Sequence, residues 1–252
     1  MIEVSFRVIP VIDIQNGLVV HARGGDRRGY RPFSSSFVTI DPDPLAVVKK
    51  LREFFGFNEV YIADLDAIAS GHAASTILPL LVDFKIKVIA DLGLKDQGDI
   101  DSMPVSLPSV SLILATETLR GPGRLESLMR SNPTRTFIFS LDLRHGKPLV
   151  APGSDWQGES PGRLVERAMN AGLNRILLLD LTRVGTQEGT SLFPLVESLT
   201  RQHESIEIYI GGGIAGIDEI LRWNDAGIAG VLVGSALHGG QIIPSDLARL
   251  RS

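Results

Sequence analysis

Short, nearly unbroken runs of Val, Ile and Leu alternate with longer stretches of mixed polarity from one end of the chain to the other. A run that is apolar at every position suits a strand covered on both faces, as in a parallel sheet. The pattern predicts eight strands, near Val8–Ile12, Glu59–Ala63, Lys87–Asp91, Ser111–Ala115, Thr136–Leu141, Arg175–Leu179, Glu207–Ile210 and Gly230–Val233. Between most of them the apolar residues recur at helical spacing. The predicted helices are Pro44–Phe55, Ala74–Val82, Arg124–Met129, Pro161–Ala171, Leu192–Gln202, Ile217–Ala226 and Ser245–Arg251. Ser160 before Pro161 reads as a helix start, an N-cap followed by proline at the first helical position.

Eight strand–helix units can lie in an open sheet or close into a barrel, and internal similarity favours closure. The segment ending in Asp13-Ile14-Gln15-Asn16-Gly17 resembles the one ending in Asp142-Leu143-Arg144-His145-Gly146. Three further pairs follow in matching order: Ser75–Leu81 with Thr190–Val196, Val88–Leu94 with Ile208–Ile214, and Ser111–Glu117 with Gly230–Ala236. The expected fold class is therefore α/β, a (β/α)8 TIM barrel. Residues 1–252 form one domain in this reading, with half-repeats of about 1–120 and 121–252. A barrel of about 250 residues is the usual size. The largest irregular segment, His21–Ser36, would follow the first strand and sit at the C-terminal face, where such barrels build active sites.

Composition narrows the class of function. The chain has 252 residues, 44% hydrophobic and 21% charged, with a formal net charge of −4. That balance gives no basic footprint for nucleic acid. The absence of cysteine removes disulfides, thiolate nucleophiles and cysteine-based zinc sites. No basic segment followed by a long apolar run opens the chain, and no stretch of about 18 apolar residues occurs. The expectation is a cytoplasmic protein with neither a membrane nor a nucleic-acid partner, acting on a small phosphorylated molecule.

Two constellations carry chemistry. Gly211-Gly212-Gly213 follows the seventh strand, and Gly234-Ser235 follows the eighth. Glycine allows positive φ and close approach of backbone N–H groups to an anion. The loops after strands 7 and 8 are the usual phosphate site of this architecture, and a short helix from Ser235 adds its dipole. Gly212, Gly213, Gly234 and Ser235 are thus candidate phosphate ligands, unless these glycines serve only to make tight turns. The second constellation is Asp13 and Asp142, ending strands 1 and 5 across the barrel from each other. Facing carboxylates can share proton transfer, one ionised and one protonated. The bland alternative pairs each with a nearby arginine, Arg23 or Arg144. Arg23, Arg27, Arg28 and Arg31 lie around glycines after strand 1, either as a lid over an anionic substrate or as a solvated basic loop. The five histidines show no metal-ligand spacing, and Asp64 with Asp66 is a weak Mg2+ signal; no metal or cofactor is expected. Trp223 and Phe54-Phe55 read as packing residues.

Together, PVIDIQNG, SLDLRHGK, SDWQ, LLLDLTRVGT, IGGGI and VLVGSAL resemble the HisA/HisF family of histidine biosynthesis, and more closely its ProFAR isomerase branch. The resemblance runs from Pro10 to Leu237. It implies a half-repeated barrel and an Amadori rearrangement, in which an aldose amine becomes a ketose amine. It also implies Asp13 as general base and Asp142 as the fifth-strand carboxylate. Trp156 would match an aromatic stacked on the substrate's imidazole, or it is a buried core tryptophan. His145, Asp180, Thr186 and Arg23 complete the candidate substrate contacts, although the family's residue at the position of Asp180 is mostly structural.

The chain also departs from that family. Where the family has a general-acid aspartate after strand 6, Val184 stands, followed by the matching Gly185 and Thr186; Glu188 is a nearby substitute. After strands 3 and 4 the chain has Asp91-Leu92-Gly93 and Ala115-Thr116-Glu117. Two acidic side chains thus stand where a second phosphate would sit, and like charges about 4 Å apart cost roughly 1 to 4 kcal/mol. These residues predict an isomerase of a phosphorylated sugar or ribosyl-amine holding one phosphate. The alternatives are a diverged paralogue in tetrahydromethanopterin-linked one-carbon metabolism and a non-catalytic phosphometabolite-binding barrel.

Overall fold

The computed structural model describes residues 6–21, 29–33, 36–71, 75–103, 107 and 109–250. Its strands are β1 (Arg7–Gln15), β2 (Leu18–His21), β3 (Arg31–Pro32), β4 (Glu59–Asp64), β5 (Lys87–Asp91), β6 (Val110–Ala115), β7 (Phe137–Arg144), β8 (Lys147–Pro148), β9 (Arg175–Asp180), β10 (Glu207–Gly211) and β11 (Gly230–Val233). Eight of them, β1, β4, β5, β6, β7, β9, β10 and β11, run parallel in that order. Pairing of β11 with β1, from Arg7 opposite Gly230 to Pro10 opposite Val233, closes the ring. The fold is a (β/α)8 TIM barrel, and every predicted strand is present.

Alternation along each strand decides what faces the barrel axis and what faces the helices. On β1, Ile9, Val11 and Asp13 turn inward, while Ile12 and Ile14 join the layer between barrel and helices. Ile89, Ile113, Ile138, Leu177 and Tyr209 fill the lower barrel with aliphatic and aromatic side chains. Two residues further along β5 and β10, and four along β7, the inward positions become Asp91, Gly211 and Asp142. The polar face of the barrel thus begins where the apolar plug ends. At the opposite end Arg7 forks onto both carboxylate oxygens of Glu59 at 2.9 and 3.1 Å. Its guanidinium also lies 4.7 Å from the Tyr209 ring centroid, bracing the N-terminal mouth.

The outer helices are α1 (Pro44–Phe55), α2 (Leu65–Ser70), α3 (Ile77–Asp83), α4 (Gln97–Asp101), α5 (Pro122–Ser131), α6 (Pro161–Asn170), α7 (Phe193–Gln202), α8 (Ile217–Asp225), α9 (Ser235–His238) and α10 (Pro244–Leu247). Local chemistry explains several of their ends. Asp43 caps α1 by accepting from the Ala46 N–H at 2.8 Å, and Gly56 ends it at φ 77°. Ser160 caps α6 ahead of Pro161, as its sequence predicts. The expected helix at 74–82 starts only at Ile77, with Thr76 at the N-cap position. The expected last helix divides into α10 and a 3-10 turn, Ala248–Leu250.

Corrections cluster at the C-terminal face. The segment His21–Ser36 is not wholly irregular: His21 ends β2, and β3 pairs with it, Val20 opposite Pro32. Asn16-Gly17 and His145-Gly146 both turn at positive φ, 53° with 72° and 51° with 71°, as type I′ hairpins require. These hairpins fold β2 back onto β1 and β8 back onto β7, beside the two aspartates. Arg23, Arg27 and Arg28 lie outside the described residues.

Candidate active site

A cavity of about 440 Å³ opens at the C-terminal end of the barrel. The strand order gives its walls opposite character. On one flank β10 ends in Gly211 and β11 is followed by Gly234. Gly212 and Gly213 adopt φ 98° and 82°, because the chain must turn hard against the loop after β9. A Cβ on Gly212 would lie 2.3 Å from the Asp180 carbonyl oxygen, and one on Gly213 would lie 2.6 Å from Arg183. Among the described residues no hydrogen bond engages the backbone N–H of Gly213, Ser235 or Ala236. Those three donors stand at the ends of adjacent strands, and Gly212, Gly213, Gly234 and Ser235 all line the cavity.

The other flank is acidic. Asp13, Asp91, Glu117 and Asp142 line the same cavity, from the ends of β1, β5 and β7 and the loop after β6. Asp142 is buried and lies 3.0 Å from the Ser140 hydroxyl, two residues back on the same inward face. Asp91 accepts the Gly93 N–H at 3.0 Å and sits 3.5 Å from the Tyr61 hydroxyl. Tyr61 comes up from β4 at the centre of this group. Burial, and then the charges of Asp91, Asp142, Asp13 and Glu117, push its phenol well above the ordinary tyrosine range. Tyr61 therefore stands among four carboxylates as a neutral phenol at neutral pH.

Several predicted contacts fall elsewhere. Trp156 is fully buried against Phe139 and donates its indole N–H to the Leu119 carbonyl at 2.8 Å, so it is a core residue in this structure. His145 occupies the hairpin turn and is exposed; its neighbour Arg144 lines the cavity instead. Asp180 is buried below the rim and accepts from the N–H and hydroxyl of Ser191 at 3.2 and 2.7 Å, anchoring the loop after β9. Thr186 donates to the Arg183 carbonyl within that loop. Glu188, the suggested replacement acid, is exposed and ion-paired with Arg183 rather than lining the cavity. Val184 does line it, so an apolar side chain faces the ligand space at that position. Asp64 and Asp66 serve the backbone: Asp64 caps α2, and Asp66 accepts from Asn16 and Gly17 in the first hairpin. Among the described residues, no three His, Asp or Glu side chains cluster as a metal site would require.

Tyr61, His21, Phe33 and His238 are wall residues that the sequence pattern did not single out. Tyr61 carried a usable signal, being a hydroxyl on the inward phase two residues before Ala63. His238 carried none beyond its place after Gly234-Ser235. The residue is 5% exposed, and burial, with a smaller contribution from His21, holds its pKa down at about 3.

The family model described as "Histidine biosynthesis protein" matches residues 7–243. An uncharacterised protein of Methanocaldococcus jannaschii is 28% identical over 235 residues, 93% of this chain and 94% of that protein. A protein of Herpetosiphon aurantiacus is 29% identical over 247 residues, 96% of this chain and 95% of its own length. A Bacteroides thetaiotaomicron protein is 26% identical over 251 residues, 95% and 97% of the two chains. The last two are named 1-(5-phosphoribosyl)-5-((5-phosphoribosylamino)methylideneamino)imidazole-4-carboxamide isomerase, the ProFAR isomerase. With nearly its whole length matched, this chain belongs to the histidine biosynthesis protein family.

Proposed function

We propose that the cavity is the active site of an aldose–ketose isomerase acting on a phosphorylated sugar or ribosyl-amine. The observation that carries this reading is the pairing of Asp13 and Asp142 with unengaged strand-end amides around one cavity. The amides of Gly213, Ser235 and Ala236 take the phosphate; successive N–H groups in glycine turns suit an anion of that shape. Holding the phosphate there fixes the sugar across the barrel mouth, where the two carboxylates stand. Asp13 removes the proton next to the anomeric carbon of the opened aldose amine. Asp142, steadied by Ser140, orients the substrate and holds the proton for the ring oxygen. Tyr61 contributes a fixed hydroxyl donor beside the reacting carbons. The relatives named as isomerases support the class of reaction.

Asp91, Glu117 and Val184 favour a substrate other than ProFAR. A second phosphate beside Asp91 and Glu117 meets like charge, whereas hydroxyls or an amine there find acceptors. The test supplies ProFAR, and separately a set of singly phosphorylated aminoaldoses, and follows the ketose product. The same gene is tested for rescue of a strain lacking the isomerase. Turnover of a singly phosphorylated compound without rescue supports the reading in full. Tight binding of such compounds with no turnover of any, and identical behaviour of Asp13→Asn, refutes it in favour of a binding protein.

A further inference from the structure

His238 belongs to the cavity wall, yet the isomerisation as proposed makes no use of it. It ends α9, one turn beyond Gly234, and its ring packs edge-on to Phe33, with centroids 4.3 Å apart, and to His21 at 6.4 Å. The Ser36 hydroxyl lies 3.0 Å from its Nδ1. That hydroxyl oxygen already accepts the N–H groups of Val38 at 3.0 Å and Thr39 at 3.5 Å. What Ser36 has left to offer is its proton, so Nδ1 is the acceptor. The ring is neutral, for burial and His21 keep it so. A neutral imidazole carries one proton, which is therefore on Nε2. Among the described residues Nε2 has no hydrogen-bond partner, and it is closed off from bulk water.

A buried donor left unpaired destabilises the fold that holds it. The fold carries that cost at a residue lining both the main cavity and a recess that meets it at Ser235, Gly185 and Gln187. We propose that the Nε2–H of His238 is a ligand-binding donor, reserved for an oxygen of the phosphate held by the Gly213 and Ser235 amides. This rests on the phosphate reading above. It ties the segment after β3 to the same anion, because Ser36 sets the imidazole tautomer and the Phe37 N–H donates to the His238 carbonyl at 2.7 Å. His238 is on this account a specificity residue: it reads an acceptor oxygen, and the three amides cradle the charge.

The experiment uses the intact protein labelled with 15N and inorganic phosphate as the probe. Long-range 1H–15N spectra should show an acceptor-type Nδ1 and a protonated Nε2 for His238. On titration with phosphate the His238 Nε2 resonance should move with the same midpoint as the amides of Gly213 and Ser235. His238→Phe should weaken phosphate binding about tenfold, the loss of roughly one hydrogen bond to a charged group. Amides that respond while His238 stays still overturn the proposal and leave the phosphate site standing. Phosphate that moves neither overturns both. The spectra of the unaltered protein decide the matter even if His238→Phe does not fold.

Discussion

Substituting alanine at Gly212 separates what the glycine turns do for the fold from what they do for a ligand. The added Cβ would sit 2.3 Å from the Asp180 carbonyl oxygen and within 3 Å of two more backbone atoms of that residue. Those atoms cannot swing aside cheaply, since β9 and β10 are laddered up to Leu179 opposite Gly211, and the Asp180 carboxylate is tied to Ser191. Overpacking against backbone costs about 1 to 3 kcal/mol. Positive φ adds about 1 to 2 kcal/mol for a residue with a Cβ. The expected loss is therefore about 2 to 5 kcal/mol. At about 2 to 4 °C per kcal/mol for a chain of this size, the melting temperature should fall by at least roughly 4 °C. Gly234→Ala is the control. Its backbone has φ −113°, and the nearest atom to the new methyl is the Val11 Cβ at 3.6 Å, an ordinary contact. Its stability should stay within about 1 kcal/mol of the parent. Thermal unfolding followed by circular dichroism measures both. A Gly212→Ala protein that melts with the parent, or a Gly234→Ala protein that loses as much, refutes the steric argument.

Three other outcomes are expected. Asp13→Asn should lower turnover of an accepted aminoaldose phosphate at least ~100-fold, the usual worth of a positioned base, with the melting curve little changed. His238 has a folded pKa of about 3 against an ordinary 6.5, so between those values the unfolded chain binds the extra proton. Its contribution to stability is thus whole above about pH 6.5 and falls as pH drops toward 3; His21 is the titratable group that faces it. Urea unfolding should show the parent losing about 2 kcal/mol between pH 7 and 5 that His238→Phe keeps. Arg7→Met removes the fork onto Glu59 and the contact with Tyr209, and should cost about 1 kcal/mol while leaving kcat unaltered, because Arg7 lies at the far end of β1 from Asp13.

The barrel strands were legible because each is apolar on both faces, and that signal needs no knowledge of neighbours. The short strands β2 and β8 were not. Four- and two-residue segments carry too little pattern, and only the Asn16-Gly17 and His145-Gly146 turns announced them. The same turn explains one site error: a type I′ hairpin exposes His145 and leaves Arg144 to face the cavity. Asp13, Asp142 and the glycines could be placed because strand ends map directly onto the rim. Trp156 and Thr186 sit in loops, where sequence has no period to say which way a side chain turns, and Asp180, the last residue of β9, is claimed by Ser191 in the loop that follows. His238 escaped for a different reason. Its importance comes from Ser36, some two hundred residues away, which fixes its protonated nitrogen.

The split between an amide-lined flank and a carboxylate-lined flank has a stereochemical consequence. A molecule with negative charge at one end has a single favourable way round in this cavity. Its reacting carbon then always shows the same face to β1 and the opposite face to β7. The handedness of proton delivery is in that case inherited from the barrel's strand order, before any bond is made or broken.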